Sequence, residues 1–246
     1  MLEKLEQHIL LKTLLEDAEL ISENREINIF DIELKDANFD EYEYYIHNTG
    51  FFFFHMIQLC YQLNYAVELL TNFNYSSKNK VTRDQHLIYN IENYIIRLTS
   101  LNERLLQLVN AIFHLTIDEK NVNERSILTN LKVSRTDFST LYREFRKENL
   151  KYVGERNTIV HKHSYLNEKL RKIEVLYESS FLFKLNKIDV EKAKFIRKDA
   201  ITKYIKEIKI DFTNANNECI TKLIPILDFL YQHYLRTKIK LKQSMP

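Results

Sequence analysis

Only four of the 246 residues are glycine or proline, two of each. Glycine supplies the positive-φ positions of tight hairpins and lets a backbone loop approach phosphate closely. A chain this poor in both has almost no material for β-sandwiches, propellers, Rossmann domains or P-loops. Helices need neither residue, so the scarcity predicts an all-α fold. With 45% hydrophobic and 28% charged residues, the chain also carries enough apolar mass to bury a sizeable core.

The longest unbroken apolar run is Phe51–Phe54, far short of the roughly 18–20 residues that span a bilayer. No membrane partner is expected. The first twenty residues mix acidic side chains with leucines, without a basic start, an apolar centre or a small-residue cleavage site. Cys60 and Cys219 are too few for a disulfide framework and lack the spacing of a metal knuckle. These features together predict a cytoplasmic protein.

Charge is unevenly divided. Residues 1–48 hold 4 Lys/Arg against 13 Asp/Glu, a balance of −9, while the remainder carries +11. Lys132–Lys172 alone holds 11 basic and 5 acidic residues, a density that favours a polyanion over a neutral metabolite. The same charges also suit an ordinary solvated helix surface.

Apolar side chains at three-and-four spacing predict a helix over 2–21. Alternation over 28–38 fits one short strand or an extended crossing segment. Residues 41–73 are aromatic-rich and apolar nearly all round, as in a central bundle helix, with Gly50 a point of kinking or interruption. Thr82 as N-cap and Asp84 in the first turn open a helix to about Leu115, with Ile91, Leu98, Leu105 and Ile112 repeating at seven and Ile88, Ile95 and Val109 between them. Asn123 announces a short helix, and Ser134 with Asp137 resembles a capping box for a helix over 135–149. Gly154 reads as punctuation. Residues 189–210 and 217–240 form two helices, or one interrupted near 211–217 and kinked at Pro225. The expectation is one helical domain over 1–246: an acidic arm over 1–40, a core over 41–165 and a helical extension over 166–246.

One constellation carries chemistry. Glu155-Arg156-Asn157-Thr158-Ile159-Val160-His161 places an Arg, an Asn directly after it and a His five residues on, inside the basic segment. This pattern, in an all-helical chain with long helices before it, resembles the signature of the HEPN superfamily over about residues 40–165. The resemblance implies a homodimer joined through the motif helix, RNA as substrate, an antitoxin or other partner protein, and a role as a toxin or defence effector.

The residues support such chemistry. Asn157 and His161 are four apart and share a helix face, so the amide can fix the imidazole tautomer. Arg156 and His161 are about 140° apart around a helix and do not converge within one copy. A twofold axis would bring both pairs into one cleft. Metal-free RNA cleavage needs a base near the 2′-hydroxyl, an acid at the leaving 5′-oxygen and a positive group for the phosphorus oxygens. His161 suits either of the first two, and Arg156 the third. The expected products are a 2′,3′-cyclic phosphate and a 5′-hydroxyl, and DNA is spared.

Where antitoxin-paired HEPN toxins carry Tyr two residues after the His, this chain has His163, a departure that argues against that mode of control. Lys162, His163, Arg97 and Arg104 are candidate RNA contacts; for the two arginines a salt bridge to Glu92, Glu103 or another carboxylate is the favoured reading. His161 and His163 on a helix cannot chelate well, so no metal and no cofactor is expected. His55 and His114 read as core or boundary residues, Cys60 as inert, the aromatic stripe Tyr42–Phe54 as core, and Lys238, Lys240 and Lys242 as a frayed basic end. Two rival readings stay open: a catalytically silent module binding nucleotide, RNA or protein, and a structural domain in which Arg156 pairs with Glu155 or Glu168 and His161 is buried.

Overall fold

The computed structural model describes residues 2–25, 39–71, 81–165, 167–178 and 190–244. Most of these residues are helical, and there is no strand among them. In chain order the α-helices are α1 (Leu2–Glu6), α2 (Ile9–Arg25), α3 (Glu41–Glu68), α4 (Arg83–Ile112), α5 (Glu124–Leu128), α6 (Leu131–Ser134), α7 (Phe138–Leu150), α8 (Val153–His161), α9 (Glu168–Glu178) and α10 (Val190–Gln243). The segment over 28–38, expected to be extended, lies outside the described residues.

Two compact units are drawn from these elements. The first comprises Met1–Tyr61, Ser100–Asn149 and Asn217–Pro246, and the second Gln62–Thr99 and Leu150–Asn216. Helices α3, α4 and α10 each contribute one stretch to either unit.

Helix α4 buries the expected seam at Ile91, Ile95, Leu98, Leu105, Val109 and Ile112. A second seam at Leu87, Tyr94, Leu101 and Leu108 is buried beside it, while Ile88 is only half-buried. Two adjacent seven-residue repeats make the wide apolar face of a helix packed on more than one side. Its start follows the sequence: the Thr82 N–H donates to Gln85 Oε1 at 3.1 Å, and the Thr82 carbonyl accepts from His86 N–H at 3.0 Å. Helix α3 opens on a capping box, in which Glu43 N–H donates to Asp40 Oδ1 (2.9 Å) and Asp40 N–H donates to Glu43 Oε2 (3.1 Å). It runs through Gly50 without interruption. Asn123 caps α5, accepting from Ser126 N–H at 3.0 Å.

Several local expectations give way to tertiary contacts. The single N-terminal helix breaks at Gln7–His8, because His8 is buried and its ring serves two partners: Nδ1 accepts from Leu10 N–H (3.2 Å) and Nε2 faces Asp228 Oδ1 (3.2 Å). Ser134 closes α6 instead of capping α7, since the chain must turn between the buried Val133 and Phe138. Thr136 makes that turn, donating to the Val133 carbonyl (2.7 Å) and accepting from Phe138 N–H (3.3 Å). Gly154 lies within α8, not at a break.

Helix α10 is continuous through Asp211–Asn217 and through Pro225. The polar stretch stays helical because Phe212 and Asn216 are buried in the second unit, where the Tyr94 ring stacks on Phe212 at 3.6 Å. The Tyr94 hydroxyl lies 3.0 Å from Asn216 Oδ1. Lys238 is not frayed: in the first unit its ammonium donates to both carboxylate oxygens of buried Asp17 (2.8 and 2.7 Å), which also accepts from Tyr234 Oη at 2.6 Å. The aromatic stripe of α3 divides, with Tyr45, Phe52 and Phe53 in the core and Tyr44, Phe51 and Phe54 exposed. Among the described residues, no helix is long and apolar enough to cross a membrane.

Candidate functional site

The motif lies on α8, in the second unit. Just before the helix, the half-buried Tyr152 sets its ring edge-on to Tyr94 (6.3 Å) and Phe212 (6.0 Å), which anchors the helix start. The Arg156 N–H donates to the Tyr152 carbonyl at 2.9 Å, so the first turn grows directly from that anchor. At the other end Lys162 N–H and His163 N–H both donate to the Thr158 carbonyl (2.9 and 3.0 Å), which stops the helix after His161. Tyr165 N–H donates to Glu92 Oε1 at 2.6 Å and ties the exit to α4.

No residue of α8 is fully buried. Val153, Arg156 and Ile159 are half-buried and share one face, while Gly154, Asn157, Val160 and His161 are exposed. Arg156 therefore lies on the inner side of the helix and His161 on the outer side. The expected bond between Asn157 and His161 does not form: Asn157 Oδ1 instead accepts from Arg156 Nη1 at 3.2 Å. Arg156 lies closer to the amide because the two are adjacent on the turn, and the imidazole at the last helical position is left solvent-facing.

Lys162 and His163 are exposed, and His163 Nδ1 donates to the Ser164 carbonyl at 2.8 Å. Arg97, also in the second unit, is held by amides, not by Glu92 or Glu103: Nε donates to Asn93 Oδ1 (2.9 Å) and Nη1 to Gln62 Oε1. Arg104 is exposed on the part of α4 that belongs to the first unit.

The basic segment is less free than its composition suggests. Arg146 pairs with Glu124 (2.8 Å), Lys147 with Glu144 (2.5 Å), Lys169 with Glu207 (2.5 Å) and Lys172 with Glu168 (2.8 Å). These are exposed pairs that add little stability, yet they shorten the run of unopposed charge. Exposed Arg135, Arg143, Lys162 and Arg171 retain theirs.

His55 is half-buried against the Phe51 ring at 4.3 Å. Cys60 is buried, and burial pushes its thiol up to about 12, so it is no nucleophile at neutral pH. Among the described residues, no group of three or more His, Cys, Asp or Glu side chains is placed to hold a metal ion.

His114, read from sequence as a core or boundary residue, is half-buried. It lines a cleft in the first unit and has a φ of 47°, rare for a residue with a side chain. Its neighbours at Thr116–Glu119 carry no motif, and the placement of Asn110 opposite them is a product of folding. No family model, curated protein or solved structure matches this chain.

Proposed function

We propose that the protein is a homodimeric, metal-independent endoribonuclease of the HEPN type, acting as a toxin or defence effector in the cytoplasm. The observation that carries this reading is the exposure of Asn157 and His161, with Arg156 half-buried beside them, on a helix with no buried residue. Stability does not require an arginine, an amide and an imidazole there. Their chemistry suits phosphodiester cleavage: the guanidinium pairs with phosphate oxygens, and the imidazole moves a proton at the 2′-hydroxyl or the leaving 5′-oxygen. Attack of the 2′-oxygen on phosphorus breaks the bond to the 5′-oxygen, which leaves with the proton and yields a 2′,3′-cyclic phosphate.

Arg156 and His161 point to different sides of α8, so a second copy supplies the complementary half of each site. Lys162 and His163, exposed directly after the motif, would add contacts to the RNA backbone. An antitoxin or other partner protein would act by covering this helix.

The test is incubation of the purified protein with tRNA and mixed RNA in EDTA, beside His161→Ala and Arg156→Ala. Cleavage to cyclic phosphate ends by the wild type, reduced at least about 100-fold in both variants, is the expected result. Intact RNA with wild type and variants alike, at concentrations where the protein dimerises, would instead identify a silent binding module.

A further inference from the structure

In the first unit, the solvent side of α3 carries no charge. From Tyr44 to Val67 the helix has no Asp, Glu, Lys or Arg, and its exposed positions in that unit are Tyr44, Phe51, Phe54 and Gln58. An exposed helix position accepts a charged side chain without cost, so a phenylalanine left 60% exposed, as Phe54 is, marks a surface made for contact.

Helix α2 runs antiparallel beside this face. Arg25 Nε donates to Glu43 Oε1 (2.7 Å) at one end, and the Tyr61 hydroxyl donates to Glu6, just ahead of α2, at the other. Leu15, 61% exposed, lies midway between these two ties, level with Phe51 and Phe54 midway along α3. Around Leu15 the helix exposes Glu16, Glu19 and Glu23 against Lys12, and among the described residues none of the three glutamates is in an ion pair. The result is an apolar patch with an acidic border.

The second unit carries the opposite. Lys192, Phe195, Ile196, Lys203, Lys206 and Ile210 follow three-and-four spacing on α10, so they share one exposed face about 27 Å long. Phe195 is 71% exposed. The carboxylates on and beside this face are already neutralised, Asp199 by Lys203 (2.8 Å) and Glu207 by Lys169 (2.5 Å). Lys192, Lys198 and Lys206 therefore stand unopposed around exposed Phe195, Ile196 and Ile210.

Each face repels its own kind and attracts the other, in charge and in apolar surface alike. Both are exposed in one chain, so a second copy offers each face its complement. We propose that the α2–α3 face of one copy docks on the α10 face of a second copy, with Leu15 and Phe54 against Phe195 and Ile210 and the glutamates opposite the lysines. The contact uses neither α8 nor Arg156 and His161, and it stands apart from the endoribonuclease reading.

Sedimentation equilibrium of the full chain tests this, with three samples beside the wild type: Glu16→Lys with Glu19→Lys, Lys192→Glu with Lys206→Glu, and an equimolar mixture of the two double variants. Wild-type association should weaken at least about tenfold between about 50 and 500 mM salt. Each double variant alone should associate at least about tenfold more weakly than wild type, and the mixture, in which every facing pair is again of opposite sign, should return to within about threefold of it. Pairing through α8 would contribute equally to all three samples, so their differences report this contact alone. Phe195→Ser, at an exposed position that does not threaten folding, should weaken wild-type association about fivefold. Absent or salt-insensitive association of the wild type, double variants that associate as it does, a mixture no tighter than either component, or unchanged association of Phe195→Ser would each overturn the proposal.

Discussion

Thr116 and Glu43 show how single side chains carry consequences that can be measured. Thr116 holds a φ of 57°, a region that asparagine tolerates far better than a β-branched residue. Thr116→Asn should raise stability by up to about 1 kcal/mol, read as an increased urea midpoint with unchanged slope. Glu43 joins two elements, since it closes the α3 capping box and also accepts from Arg25 Nε at 2.7 Å. The Arg25 guanidinium holds its carboxyl below the usual value of 4.5, against an opposing effect of burial. A carboxyl lowered on folding adds stability that is fully present above the ordinary glutamate pKa and is lost as pH falls through the lowered one. Urea midpoints measured between pH 7 and pH 3 should therefore fall less steeply in Glu43→Gln than in wild type, from a lower starting value at pH 7.

At the scale of elements, the helices that local patterns define best are those with caps on the surface. Asn123 and Thr82 stand where sequence places them, because a cap is satisfied within one turn. Helix α10 is the counter-case. Pro225 is exposed within it and cannot donate to the carbonyl four residues back. The helix continues because Leu223, Ile226, Leu227 and Leu230 around the proline are buried. Packing thus overrides a local breaker. Pro225→Ala should stabilise the protein by about 2 kcal/mol, the helical gain less the added freedom of the unfolded chain, measured by thermal or urea unfolding.

At the scale of the whole molecule, the chain ends meet in the first unit. Asp17 of α2 and Lys238 of α10 lie 221 residues apart in sequence, with side chains 8% and 19% exposed. A buried carboxylate that loses its cation is costly, whereas replacing both charges is tolerated. Lys238→Met should lower stability by about 3 kcal/mol, and adding Asp17→Asn should recover most of that loss in a double-mutant cycle. Without this pair the acidic arm would rest on the contacts of Leu5, Leu10 and Leu14, on His8 with Asp228 and on Arg25 with Glu43.

Scarcity of glycine and proline dictated the helical class, and the seven-residue repeat dictated the register of α4. The sequence also marked Arg156, Asn157 and His161 as neighbours on one helix, because helical spacing is a local property. Tertiary structure alone decided which face of that helix turns inward, and hence that Asn157 bonds Arg156 and leaves His161 to solvent. It alone decided that Lys238 is buried against Asp17, that α10 does not break, and that the loop with positive φ at His114 and Thr116 is held by Asn110 and Lys132. The reason is physical: periodicity and caps are written within a turn or two of chain, whereas a buried charge, an inward face or a clamped loop depends on partners that only folding brings within reach.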